Sequence, residues 1–164
     1  VFPLGADILT ATPDMYPDTD LSKPYTVNMY LIGDTPNDWD SVINKVNDYL
    51  QPFNTELAVT FMSWSDYQTM YSLVLAGGEQ VDLIFTAPWC FMYNEAAKGS
   101  FYELTDDFVA NYMPLTSKYQ AADSWDETTI SGKTIAVPGI NIASKSFSLL
   151  RILTSCGIIL TNII

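Results

Sequence analysis

The strongest constraint in this sequence is a hydrophobic pattern that switches period, from two residues to about 3.6, and does so repeatedly. Tyr25–Ile32 (YTVNMYLI) is dense in β-formers and puts Tyr25, Val27, Met29 and Leu31 on one face. After Gly33-Asp34, residues Trp39, Val42, Ile43, Val46, Tyr49 and Leu50 form one unbroken stripe at helical spacing. Thr35 is the expected N-cap, with Pro36 at the first helical position and Pro52 as the stop. The switch then recurs. Residues 57–62 (LAVTFM) read as a second strand. Tyr67, Met70, Tyr71 and Val74 form a second stripe, opened by a Ser65 to Gln68 capping box and closed at Gly77-Gly78. Residues 81–86 (VDLIFT) read as a third strand, apolar enough to be covered on both faces. Beyond Pro88-Trp89, a short helix over 90–98 ends at Gly99, and Thr105 caps another that stops before Pro114. Residues 133–137 read as a fourth strand behind the Ser131-Gly132 turn.

This order predicts an α/β fold: a mainly parallel sheet with helices on both faces and right-handed crossovers. Such sheets take ligands just beyond the carboxyl ends of their strands. Here those ends are 33–39, 63–65, 86–89 and 138–141, and they carry the candidate ligand-binding residues. Trp64 and Trp89 offer indole faces on which the C–H surface of a sugar can pack; the plainer reading is that each fills the core or an interface. Asp34 can accept two sugar hydroxyls or pair with a cation, or can simply be a turn acid ahead of Thr35. Tyr93 and Asn141 can reach the same rim, whereas Trp39 belongs to the helical stripe and reads as core. Asp106-Asp107, adjacent at a helix start, read as dipole-favouring residues rather than as a glycosidase acid pair.

Composition narrows the chemistry. Nineteen acids against seven bases give a formal charge of −12, so nucleic acid is a poor partner. The absence of histidine removes His-based metal sites and Ser-His-Asp or Cys-His machinery. Cys90 and Cys156 make neither a disulfide framework nor a four-Cys zinc site. Gly77-Gly78-Glu79 lacks the Gly-Lys-Ser/Thr of a phosphate loop. These residues assign no catalytic group, no metal and no cofactor.

Three segments, taken in order, resemble a known family. Ala76-Gly77-Gly78-Glu79-Gln80-Val81-Asp82-Leu83-Ile84-Phe85-Thr86 is similar to a recurrent segment of bacterial extracellular solute-binding proteins, the capture subunits of ABC importers. In that family a helix ends in glycine, and a D-L-[IV]-F strand leads to the ligand loop. Lys98-Gly99, Phe101, Leu104 and Asp106-Asp107 resemble the family's next stretch, a K-G helix end before an acid-opened helix. Trp125 followed by Gly132-Lys133-Thr134-Ile135-Ala136-Val137-Pro138 looks like its G-K-x-Y-A-[VI]-P strand, with Ile135 where tyrosine is frequent. The branch most resembled is the sugar-type, lipoprotein-like group. The resemblance implies one lobe of a periplasmic-binding-protein-like fold, the N-terminal one, whose intact form has two lobes closing on a solute. It implies capture of a small-molecule solute, an oligosaccharide foremost, for an ABC permease, outside the cell and lipid-anchored at its surface. The acidic surface also admits a cationic solute.

The chain divides into an irregular arm over 1–23, an α/β ligand-binding lobe over 24–143 and an atypical apolar tail over 144–164. All nineteen acids lie at or before Glu127, while the tail reads FSLLRILTSCGIILTNII from Phe147. It admits three readings: a membrane helix, which Arg151 opposes, a last core element, or a non-native continuation after Ala143. The third fits the loss of acids. Two functions from other classes stand beside solute capture. One is a carbohydrate-active enzyme domain, which would need two converging carboxylates. The other is a truncated remnant that self-associates through an exposed lobe face.

Overall fold

The computed structural model describes residues 11–139 and, further on, the backbone of Gly157–Leu160. The expected alternation is present. Strand β1 (Tyr25–Ile32) leads to helix α1 (Trp39–Leu50), β2 (Thr55–Met62), α2 (Trp64–Ala76) and β3 (Leu83–Thr86). Helices α3 (Met92–Lys98), α4 (Asp106–Tyr112) and α5 (Pro114–Tyr119) follow. A 3-10 segment, Ala122–Thr128, precedes the two-residue strands β4 (Thr129–Ile130), β5 (Lys133–Thr134) and β6 (Val137–Pro138), and Gly157–Leu160 forms β7.

The main sheet has the order β2-β1-β3-β7-β6. β1 lies between β2 and β3 and is parallel to both, with Ile32 level with Met62 and Tyr30 level with Ile84. β7 runs antiparallel between β3 and β6, so β6 points the same way as β3. The expected mainly parallel sheet is therefore found, with one antiparallel insertion. β4 and β5 make a separate hairpin.

The sheet is covered on both faces. Phe61 meets Trp39 of α1 edge-to-face, with centroids 4.8 Å apart. The register puts Leu31 level with Phe61, so the face carrying Val27, Met29 and Leu31 is the α1 face. On the other face Tyr30, Ile32 and Met62 pack against a core of Tyr67, Tyr71, Val81, Ile84, Ala87, Cys90 and Ala136. The two coverings are unequal. α2 buries Tyr67 and Tyr71 completely, whereas α1 buries no residue fully and leaves Val42 and Tyr49 exposed.

β2 starts at Thr55 rather than at the expected Leu57, β3 at Leu83 rather than Val81, and four further boundaries differ from expectation. Helix α1 starts at Trp39 with Asp38, not Thr35, at the cap position; the chain turns first, through Trp39 N–H to Pro36 O. α2 is capped by Ser63 rather than Ser65, because the strand ends at Met62 and Ser63 Oγ already accepts from Asp66 N at 3.2 Å. α3 begins at Met92, since Cys90 closes a turn onto Ala87 O. The fourth strand is split: Lys133-Thr134 pair within the hairpin and Val137-Pro138 join the main sheet, with Ile135 and Ala136 buried at the transfer. Thr105 caps α4 as expected, through Phe108 N–H at 3.2 Å. Among the described residues no helix is long and apolar enough to cross a membrane.

Candidate functional site

Because β1, β2 and β3 are parallel, the segments leaving them emerge at one edge of the sheet. β1 gives way to Gly33, whose N–H extends the ladder to Met62 O at 2.8 Å, and whose φ of +122° suits a residue without Cβ. Asp34 follows, exposed, and no described residue bonds to its carboxylate.

Trp64 is the first residue of α2. It lies on the stripe that continues through Tyr67 and Tyr71, at i, i+3 and i+7, so it prolongs a buried stripe past the end of the sheet. Tyr67 and Tyr71 hold that stripe in the core. The Tyr67 hydroxyl donates to Phe85 O of β3, while the Tyr71 hydroxyl and Thr86 Oγ1 are buried near each other, neither with a well-formed hydrogen bond among the described residues. Burial, foremost, pushes the Tyr71 phenol above its ordinary pKa.

The loop after β3 displays Trp89 by alternation. Ala87, Cys90 and Met92 point into the core and are almost fully buried, while Pro88, Trp89 and Phe91 face out. The tightness of the loop is borne by Phe91, a non-glycine residue at φ +54°, a conformation that costs roughly 1–2 kcal/mol. Its ring stacks on Tyr71 at 6.4 Å. Behind the loop, Glu95 of α3 is 2% exposed and accepts from Ser72 Oγ of α2 (2.6 Å), Lys98 Nζ (2.6 Å) and Ser100 Oγ (2.8 Å). Burial alone would raise the Glu95 carboxyl, but these donors and the Lys98 charge hold it below the ordinary carboxylate range. The loop is thus clamped between α2 and α3.

The structure brings Trp64 and Trp89 together. Their rings stack with centroids 5.7 Å apart and planes 26° from parallel, and they are 62% and 43% exposed. Trp89 also meets Phe85, which meets Tyr67, so the exposed pair roots directly in the core. Asp34 stands on the same edge, at the end of the neighbouring strand. Tyr93 is exposed on α3 with no ring contact to the pair among the described residues, and Asn141 lies outside the described residues. Trp39 packs on Phe61, as expected of the stripe. Nothing in the sequence marks Phe91, since its role depends on a backbone angle that phenylalanine seldom adopts.

Two cavities lie elsewhere. One, of about 450 Å³, opens at the starts of β1 and β2, lined by Tyr25, Asn47, Asn54 and Glu56 among others. The other, of about 430 Å³, lies between α4, α5 and Trp125. The indole pair is therefore an open platform, able to cover one side of a ligand. Among the described residues no group of three or more His, Cys, Asp or Glu could hold a metal ion.

Comparison with known proteins gives this edge its context. No family model matches the chain. A carbohydrate ABC transporter substrate-binding protein of Streptococcus pneumoniae is 29% identical over 127 residues, which are 75% of this chain and 24% of that protein. The crystal structure of an N-glycan transport solute-binding protein from the same organism superposes with a TM-score of 0.62 at 26% identity, over 71% of this chain and 25% of that one. Its complex with Man5GlcNAc gives 0.62 at 27% identity, with the same coverage. This chain is similar, in sequence and in fold, to the solute-binding proteins of carbohydrate ABC importers. The likeness read from Ala76 to Pro138 is thus shown, and so is the fold of a partial solute-binding lobe. The lobe spans about a quarter of the length of these relatives.

Proposed function

We propose that this lobe supplies one wall of a non-catalytic carbohydrate site, in a protein that captures an oligosaccharide and delivers it to an ABC permease. The observation that carries the reading is the exposed Trp64–Trp89 stack at the strand-end edge. Apolar rings left in water at a ligand edge suit the C–H faces of a pyranose, and Asp34 on the same edge suits its hydroxyls. Tyr93 and Asn141 are further polar candidates at that rim. The similar N-glycan transport protein crystallised with Man5GlcNAc supports an oligosaccharide as solute. The reading places the intact protein outside the cytoplasm, lipid-anchored at the cell surface. It treats 24–143 as the ligand-binding unit, with 1–23 outside it and 144–164 as a tail whose Gly157–Leu160 strand joins its sheet.

The test uses the four tryptophans as reporters. In a ¹⁵N-labelled full chain, indole N–H resonances are followed during titration with Man5GlcNAc. A single wall without its opposing lobe is expected to bind with Kd near ~1 mM, about −4 kcal/mol. The Trp64 and Trp89 signals should shift while Trp39, which packs on Phe61, stays still. Trp89→Ala should weaken binding about 10-fold, equivalent to about 1.4 kcal/mol. Silence of both rim indoles, or cleavage of the glycan, overturns the reading.

A further inference from the structure

The cavity beside Trp125 has the chemistry of a saccharide pocket and belongs to the same edge as the indole platform. Its lining combines apolar surface, from Trp125, Val109 and Leu104 (3% exposed), with the Asp106 carboxylate and the Ser117 hydroxyl. Gln120 also lines it, its amide already engaged by Pro138 O and Ser124 Oγ. A volume of about 430 Å³ falls within the range of small-molecule sites, about 300–1,000 Å³. Apolar walls around a few orienting polar groups are what a pyranose ring requires.

The pocket is held in shape. Thr128 Oγ1 and Thr129 Oγ1 both donate to Trp125 O, at 3.1 and 2.9 Å, and fix the 3-10 segment that carries the indole. Leu104 N–H donates to Thr134 O at 2.8 Å and ties the apolar wall to β5.

Its place in the fold follows from strand register. Gln120 Nε2 donates to Pro138 O, at the C-terminal end of β6. Pro138 and Thr86 are both paired with Gly157, so the ends of β6 and β3 stand level, with β7 between them. Two strand spacings separate them, about 10 Å. Trp89 rises from the β3 end and Gln120 sits at the β6 end, so both open on one edge. The cavity at the opposite edge has no tryptophan in its lining, and so offers no indole face to a sugar ring.

We propose that the Trp125 cavity is a second saccharide-ring subsite, occupied by the distal part of a glycan long enough to extend across the edge from the Trp64–Trp89 platform. This rests on the carbohydrate reading above. The experiment compares Man1GlcNAc with Man5GlcNAc on the ¹⁵N-labelled full chain. The short glycan should shift the Trp64 and Trp89 indole signals alone, and the long one should shift Trp125 as well. Ala110→Phe, which fills the cavity, should lower Man5GlcNAc affinity at least 5-fold and leave Man1GlcNAc affinity unchanged; Ser117→Leu at the rim is the milder second variant. If Trp125 stays silent while the rim indoles respond to both glycans, the subsite is refuted and the carbohydrate reading stands. If no indole responds to either glycan, both fail.

Discussion

The two edges of the central sheet are built on opposite principles. At the edge where the strands begin, polar groups are spent on one another. Asp82, fully buried ahead of β3, accepts from Tyr25 Oη (2.8 Å), Asn28 N (2.7 Å) and Gln80 Nε2 (2.7 Å), and its own N–H donates to Asn28 O. Gln80 also donates to Thr26 O, and Tyr25 N–H to Asn54 O. At the edge where the strands end, two indoles stand in water and Asp34 is unpaired among the described residues. A buried carboxylate with three donors stabilises one geometry and leaves nothing to offer a ligand. An exposed aromatic pair contributes little to the fold and keeps its faces free. The Asp of the D-L-I-F segment is thus a rivet between β3 and β1, and the proposed ligand platform lies at the other end of the same strand.

The sharpest way to break this contrast is Asp82→Ala. It removes the one acceptor shared by the Tyr25 hydroxyl, the Asn28 N–H and the Gln80 amide, so three charge-assisted hydrogen bonds are lost and the expected cost is about 3 kcal/mol. Thermal unfolding monitored by circular dichroism should fall by roughly 10 °C. A loss within 2 °C would show that the lower edge is not a structural clamp. Next in size is the acid response of Glu95. Its carboxyl titrates below its ordinary 4.5 in the folded chain, so its contribution is complete above that value and disappears as the pH falls through the lowered one. Glu95→Gln should therefore destabilise the chain at pH 7 and flatten the acid limb of its stability curve. An unchanged acid limb would remove Glu95 from the account of how the Trp89 loop is held.

A third test sits inside the core, between the edges. Tyr67→Phe deletes the hydrogen bond to Phe85 O and should cost about 1 kcal/mol. Tyr71→Phe deletes a hydroxyl that has no well-formed hydrogen bond among the described residues and only the Thr86 hydroxyl beside it, so it should be neutral or stabilising. Urea denaturation of the two variants separates them by sign. Equal destabilisation would mean that the Tyr71 hydroxyl is satisfied in solution.

The periodicities carried the architecture in plain view, and the alternation of β1, α1, β2, α2 and β3 needs no more than spacing to be read. Helix starts were harder. Thr35, Asp38, Ser63 and Ser65 are all competent caps, and where the chain leaves its strand decides which is used. The transfer of 135–137 from the hairpin to the main sheet depends on β7, whose sequence lies twenty residues away from β6 and carries no mark of its partner. The site was legible in outline, because Trp64 and Trp89 follow parallel strands whose ends must coincide. Their stacking was not, since it requires the buried Tyr67–Tyr71 stripe to fix the rotation of α2 and Phe91 to adopt a left-handed backbone. Asp82 was visible as part of a motif, but its partner Tyr25 is 57 residues distant, beyond the reach of any local rule.

The smallest expected effect is the most informative about the upper edge. Trp64→Ala removes a large aromatic residue, a change that costs about 3–5 kcal/mol in a core. Here the ring is 62% exposed and its one aromatic partner among the described residues is Trp89, so the stack is worth about 0.5–1.5 kcal/mol at most, and the solvent-facing geometry places it at the low end. The unfolding midpoint should move by no more than a few degrees while glycan binding weakens several-fold. A melting-point drop comparable to that of Asp82→Ala would make the indole pair part of the structural core. The two edges would then be built alike, and the platform would lose its claim to a ligand.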